Sequence, residues 1–276
     1  MILPRHVLGG KGYTSPSDKL NIAGVGVRKW GMGSGNLSSC ETENIVALCD
    51  VDHKLSAETF NKYPKAKVYK DFRVMLETQK DIDAVIVATP DHTHAIISMM
   101  SIKLGKHVFC QKPLTHTVYE ARVITETARK YKVQTQMGNQ GRSSEEIRRL
   151  KEWIDDGAIG PVRKVYAWTD RPVGGNAWDT FDAKAKPKEK PPIPKDLDWD
   201  LWLGPAKYRN YHPSYHPNSW RAWIDFGTGS MGDMGCHIID PSFYALELGA
   251  PSEIQATSTH WVPEVESQTY PSASIV

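Results

Sequence analysis

The chain has 276 residues, with 34 Lys and Arg against 32 Asp and Glu and a net charge of +2. That length allows one large or two ordinary domains around a sizeable core, and the even charge, with no basic stripe or block, argues against a nucleic-acid or membrane-surface role. No apolar run approaches the roughly 20 residues that span a bilayer, and the scattered Cys40, Cys49, Cys110 and Cys236 read as buried small hydrophobes rather than a disulfide or zinc framework.

Residues 1–18 are apolar, then rich in Gly and Ser, without a strand or helix period. Residues 1–19 therefore read as a leader or linker. They lack the charged region and the small-residue cleavage site of a complete export signal, which leaves cytoplasmic and exported locations both open.

From residue 21 to 138 strands and helices alternate with little slack. Residues 22–25 are a first strand, running into Gly24-Val25-Gly26 and a glycine run through Gly31, Gly33 and Gly35. Residues 36–40 belong to the helix that follows, and 45–49 form a second strand ending in Asp50. This order is a dinucleotide-binding opening. The glycines let backbone approach a pyrophosphate on the amide-rich start of a helix, and the acid accepts from ribose hydroxyls. Lys29 stands where a third glycine would complete the usual spacing, and a bare turn is the competing reading.

Further along, 54–63 is a helix, 67–69 a short strand and 72–77 a helix presenting Phe72, Met75 and Leu76 at helical spacing. Residues 84–88 are apolar on both faces, as a parallel strand between helix layers should be. A helix over 93–104 ends at Gly105. Residues 107–110 and 133–137 are strands five and six, separated by a helix over 118–131. Six repeats with short connections predict an α/β fold, a doubly wound parallel sheet over residues 20–141.

Beyond Gly141 the texture changes. Ser143-x-x-Glu146 is a capping-box pattern opening a helix that ends at Gly157. Residues 162–171 are predicted as a long strand, 174–194 as a proline-rich loop, and 199–223 as an aromatic segment. A helix over about 230–248 and strands over 253–261 and 272–276 complete a second, α+β domain over 142–276. The chain stops inside strand-like sequence and reads as a fragment of something longer.

Ligands of an open parallel sheet bind beyond the carboxyl ends of its strands. Those ends offer Thr89, Pro90, Asp91, His92 and His94 after strand four, Gln111 and Lys112 after strand five, and Gly138, Asn139 and Gln140 after strand six. Lys112, beside a rigid proline, can orient a substrate hydroxyl and favour its alkoxide-like state; a solvated surface lysine is the alternative. His92-x-His94 is half of a metal set with no carboxylate or cysteine to complete it, so no metal is expected and a helix-start or cofactor-edge role is preferred. Asp233 and His237 are four apart and share a helix face. An aspartate beside an imidazole fixes its tautomer and raises its basicity, which a general base needs; a structural Asp–His pair is the competing reading. Pro241 predicts a kink beside them. Trp199, Trp202, Tyr208, Tyr211, Tyr215, Trp220 and Trp223 suit stacking on a sugar ring or serve as core anchors.

Gly24-Val-Gly26, Ala88-Thr-Pro-Asp-His92, Cys110-Gln-Lys-Pro113, Gly138-Asn-Gln140 and Gly232-Asp-Met-Gly-Cys-His237 together resemble the glucose–fructose oxidoreductase, inositol dehydrogenase and MocA (Gfo/Idh/MocA) family. The resemblance covers residues 20–276. It implies an N-terminal Rossmann domain and a C-terminal α+β domain on a mainly antiparallel sheet. It also implies NAD, with NADP as the alternative, a sugar or cyclitol substrate, and a dimer or tetramer. By position, Lys112 resembles the family's catalytic lysine, Asp233 its substrate-site aspartate and His237 its proton-accepting histidine. Gly24, Gly26, Gly31, Asp50, Thr89, Pro90, His92, His94, Gln111 and Asn139 fall on the cofactor side.

The family's Glu-Lys-Pro reads Gln111-Lys112-Pro113 here, and the glycine loop is expanded around Arg28-Lys29-Trp30. The leader resembles the tail of a twin-arginine export signal. The expected activity is hydride transfer between a nicotinamide and a sugar or cyclitol hydroxyl. A glycosidase or lyase that uses NAD transiently, and a non-catalytic binding protein, are the competing functions.

Overall fold

Short apolar strands alternating with capped helices build a six-stranded parallel sheet in the computed structural model of the chain, which describes residues 9–11, 14–171, 187–259, 268–271 and 273–276. The strands are β1 (Asn21–Val25), β2 (Asn44–Cys49), β3 (Lys67–Tyr69), β4 (Ala84–Val87), β5 (His107–Gln111) and β6 (Thr135–Gly138). Their order is β3-β2-β1-β4-β5-β6. The winding of the strand order reverses between the parallel neighbours β1 and β4, the switch point where an open sheet of this kind takes its ligand. Helices α1 (Met32–Ser39), α2 (His53–Lys62), α3 (Phe72–Thr78), α4 (Asp91–Lys103) and α5 (Val118–Tyr131) fill the crossovers.

Residues alternate across the central strands and bury both faces. Ala23, Val25, Val85 and Val87 join Met75, Leu76, Ile102 and Ile124 in one cluster, while Ile22, Leu48 and Ile86 join Val27 and Leu37 in the other. Each Val, Leu, Ile or Met among them contributes about 1.5–3 kcal/mol by leaving water. Local chemistry sets the helix starts. Asp52 accepts from Leu55 N at 3.0 Å and caps α2, Asp71 caps α3, and Thr117 with Glu120 forms a complete capping box on α5.

The described residues cluster as two units. The first holds the described residues up to Thr89 with Thr93–Met137 and Ile193–Tyr208; the second holds those of Pro90–His92, Gly138–Pro192 and Arg209–Val276. Residues 193–208, assigned by sequence to the second domain, make their contacts mainly within the first unit. Asp198 N donates to Val51 O at 2.9 Å, and helix α7 spans Trp199–Leu203. Trp199 and Trp202 are buried and stacked at 4.6 Å between ring centroids, so these two are core anchors.

In the second unit, α6 (Glu145–Asp155) is capped by Ser144, whose Oγ accepts from Ile147 N at 3.4 Å. The predicted cap at Ser143 is therefore one residue early, because Ser143 closes a single 3-10 turn, Gln140–Ser143. The predicted helix over 230–248 is two helices, α8 (Gly229–Ile238) and α9 (Asp240–Ala245), broken at Ile239 with Pro241 in the first turn of α9. A proline there cannot continue the ladder, as expected.

Residues 162–171 are not a strand: among the described residues they have no ladder partner, and Val165, Tyr166 and Trp168 are exposed. Branched and aromatic side chains favour a strand only where a neighbour pairs its backbone. The strands predicted over 253–261 and 272–276 shrink for the same reason to β7 (Thr257–Ser258) and β8 (Ser274–Ile275), an antiparallel pair. Residues 260–261 and 272, and most of the predicted 174–194 loop, lie outside the described residues.

Candidate cofactor and active site

β1 enters its turn at Gly24, where a Cβ would lie 2.8 Å from Val27 Cγ1. Gly26 takes φ +79°, and a Cβ there would lie 2.7 Å from the Ala88 carbonyl oxygen. Its N–H donates to Cys49 O at 2.9 Å. The third glycine of the turn, missing at position 29, is Gly33. A Cβ on Gly33 would sit 2.0 Å from the Gly26 carbonyl oxygen, so only glycine lets α1 start against the turn.

The extra residues form a loop between them. Lys29 N donates to Leu55 O at 3.1 Å, its ammonium pairs with Glu58, and Trp30 is 87% exposed at φ +60°. Gly31 is the N-cap of α1 and brings no side-chain cap, which leaves the first helix amides to backbone or ligand.

Asp50, at the end of β2, closes the turn. Its Oδ2 accepts from Val27 N at 2.8 Å and its Oδ1 from Asp52 N at 3.0 Å, and the residue is 9% exposed. Burial raises its carboxyl above the ordinary carboxylate range, while the two amide bonds pull the other way. Burial lowers the Arg28 guanidinium, and the charges of Asp50 and Asp52 oppose that. A carboxylate has about four acceptor sites, so two bonds to the turn leave room for ribose hydroxyls.

At the end of β4, Thr93 Oγ1 donates to Thr89 Oγ1 at 2.8 Å. Pro90 and His92 cluster with the second unit. There Asp91 Oδ2 accepts from Thr228 Oγ1 at 2.7 Å, and His92 N donates to Phe226 O at 3.2 Å. His94 Nδ1 and Nε2 face the Pro113 and Thr89 carbonyl oxygens at 2.7 and 2.8 Å. Gln111 is buried and donates from Nε2 to Asn36 Oδ1 at 2.8 Å, tying the end of β5 to α1. An amide thus supplies a donor where the family pattern has a carboxylate. Lys112 follows directly and is half-buried, with a cis peptide to Pro113. Asn139 Nδ2 donates to Cys236 O at 2.9 Å, while its buried Oδ1 has no hydrogen-bond partner among the described residues.

Asp233 and His237 lie one turn apart on α8. Sequence reasoning made Asp233 the orienting partner of His237, and its carboxylate also draws two guanidiniums. Arg171 Nη1 lies 2.9 Å from Oδ2 and Arg221 Nε 3.6 Å from Oδ1. Neither arginine was singled out in the sequence, since nothing in their spacing links them to α8. Of the aromatic segment, Tyr215 and Trp223 pack with Phe226 around Arg209, whose guanidinium carbon is 5.6–5.7 Å from the three rings. Arg209 Nε also donates to Asp225 Oδ2 at 2.7 Å. These two aromatics hold a buried cation rather than an open sugar shelf.

The six-stranded order, the three-glycine turn and the acid closing it define the first unit as an NAD-binding Rossmann domain. Residues 20–139 match the family model described as "Oxidoreductase family, NAD-binding Rossmann fold", and residues 143–261 its companion, "Oxidoreductase family, C-terminal alpha/beta domain". The chain belongs to the Gfo/Idh/MocA oxidoreductase family.

Levoglucosan dehydrogenase of Pseudarthrobacter phenanthrenivorans is 24% identical over 79% of this chain and 46% of its own length. D-glucoside 3-dehydrogenase of Escherichia coli is 30% identical over 78% of this chain and 50% of its own. Inositol 2-dehydrogenase of Salmonella typhimurium is 30% identical over 54% and 44% respectively. An oxidoreductase domain protein of Kribbella flavida, 23% identical, shares the fold with a TM-score of 0.55 over 83% of this chain and 54% of that one. The chain spans about half the length of the curated relatives it matches.

Proposed function

We propose that the chain serves an NAD-dependent oxidoreductase that moves a hydride between the nicotinamide and a hydroxyl of a sugar or cyclitol. The observation that carries this reading is the glycine turn, where Gly33 lets α1 begin against Gly26 while Asp50 accepts the turn's Val27 amide. Gly24, Gly26 and Gly31 would admit the pyrophosphate and Asp50 the ribose. Thr89, Pro90, His92, His94 and Gln111 are the further residues assigned to the cofactor side in this reading. Asn139 Oδ1, buried and unpartnered, is an acceptor for a ligand N–H or O–H.

The cofactor, when bound, supplies the hydride acceptor. In this reading Lys112 directs its ammonium at the substrate oxygen and His237 takes the hydroxyl proton. The names of the relatives point to levoglucosan, D-glucosides and inositols as the first substrates to try. In a panel of these followed by NADH formation, Lys112→Ala and His237→Ala are each expected to lower kcat/KM about 10²–10⁴-fold. Both variants turning over an identified substrate at the wild-type rate would sink the assignment. Glycoside cleavage without net NADH would replace it by oxidation and elimination.

Asp50 favours NAD, since a carboxylate there repels a 2′-phosphate. Asp50→Ala is expected to weaken NAD binding on the order of 10–100-fold, through lost ribose acceptors and a loosened turn. The wild-type protein carries a matching pH signature. Burial raises the Asp50 carboxyl, so it takes up a proton at higher pH than an ordinary carboxylate of about 3.9. NAD affinity is complete above that raised pKa and falls as pH drops through it, and Asp50→Ala should lack this acid limb. Calorimetric NAD titration across pH checks both statements. Arg28, in the field of Asp50 and Asp52, is the one observation favouring NADP; a tighter Kd for NADP than for NAD would decide for it.

A further inference from the structure

His94 lies one turn into α4 and is 1% exposed. Its Nδ1 is 2.7 Å from the carbonyl oxygen of Pro113, and its Nε2 is 2.8 Å from that of Thr89. Backbone carbonyls only accept, and a neutral imidazole carries a single N–H. One of the two contacts would then set a nitrogen lone pair against a carbonyl oxygen. Turning the ring over places carbon atoms at the same points, and a C–H···O contact needs about 3.3–3.6 Å. Only the imidazolium donates at both ends.

We propose that His94 is a buried cation clamping the loop after β4 to the loop after β5, and that it thereby positions Lys112, the neighbour of Pro113. β4 and β5 are adjacent parallel strands, and the clamp joins them at their carboxyl ends, where this fold takes its ligand. Burial and the amide-rich start of α4 oppose the charge. Two short charge-assisted hydrogen bonds offset that cost.

The titratable and charged groups next to the clamp in the chain are Asp91, one turn earlier on α4, His92, two residues earlier, and Lys112, which adjoins Pro113. Asp91 favours the cation and Lys112 opposes it. The clamp is complete below the pKa of His94 and loses one arm as pH rises through it. The clamp stands on its own geometry, whereas its kinetic consequence rests on the proposed role of Lys112.

Histidine-selective 15N NMR of the wild-type protein with NAD tests the clamp, His94 being assigned by the signals lost in His94→Gln. Both ring nitrogens should be protonated at pH 7 and titrate above the roughly 6.5 of an ordinary histidine. A neutral ring at pH 7, with one nitrogen bare, overturns the proposal whatever the variant does.

The pH profile of kcat tests the positioning. Its alkaline limb should coincide with the NMR titration of His94 and vanish in His94→Gln, with kcat about tenfold lower. A protonated His94 alongside an unchanged His94→Gln profile keeps the clamp and rejects the positioning of Lys112. Failure of Lys112→Ala to alter turnover rejects the lysine's role and leaves the NMR result standing.

Discussion

Gly33→Ala is expected to raise the Kd for NAD at least 100-fold, while Gly35→Ala, two residues on, leaves it unchanged. A methyl on Gly33 would sit 2.0 Å from the Gly26 carbonyl oxygen and 3.2 Å from Ala88 Cβ, whereas one on Gly35 meets nothing within 4 Å. The obstacle at Gly33 is backbone, so no rotamer change relieves it. α1 has to retreat by roughly 1.5 Å to reach van der Waals contact, and overpacking of this kind costs about 1–3 kcal/mol. The retreat also moves the first α1 amides away from the turn. A 1 Å misplacement of a binding group is worth about 10² in a preorganised site.

Gly35→Ala, within α1, should gain up to about 1 kcal/mol of helix propensity, so thermal melts separate the two variants before any binding is measured. Calorimetric titration with NAD then decides. Wild-type affinity in a folded Gly33→Ala protein would remove the glycine turn as the seat of the pyrophosphate.

Gly33 also marks the boundary of what could be read in the sequence. Strands β1, β2, β4 and β5 were legible because each is a short apolar run, and β3 and β6 because they complete the alternation with helices. The glycine was in plain view, but fixed spacing looked for it at position 29. What identifies it is a through-space clash with Gly26, which no count of intervening residues reveals. Its neighbours Gly31 and Gly35 were the available signal, three small residues at alternate positions across a helix start.

Gln111 stands where the family pattern has a carboxylate, and its amide bonds Asn36 on α1. That contact joins residues 75 positions apart, beyond any local pattern. The second unit was the harder half for one reason. Residues 162–171 have the composition of a strand, but a strand exists only with its pairing partner. The helix break at Ile239 was legible because proline acts on its own backbone.

Asp233→Ala is expected to destabilise the protein by about 3 kcal/mol, the lower end of the cost of stripping one partner from a buried ion cluster. The lower end applies because the arginine side chains keep 29% and 25% of their surface in water while Asp233 keeps 6%. Without the carboxylate, two guanidiniums face each other with no anion between them. Arg171→Ala or Arg221→Ala alone should cost about 1 kcal/mol, since Asp233 retains the other cation. The triad is thus asymmetric, and urea unfolding followed by tryptophan fluorescence should rank the three variants in that order. Equal costs for all three would dissolve the cluster as an energetic unit.

The same variants separate two roles for Asp233 in catalysis. An aspartate acting on His237 raises the imidazole's basicity, so Asp233→Asn should shift the acid limb of kcat/KM to lower pH. An aspartate that only anchors Arg171 and Arg221 should give Asp233→Asn and Arg171→Ala the same loss at every pH. With an arginine beside each carboxylate oxygen, the expected result is the second, a uniform loss with no displaced limb. A limb displaced by Asp233→Asn but not by Arg171→Ala would return Asp233 to His237.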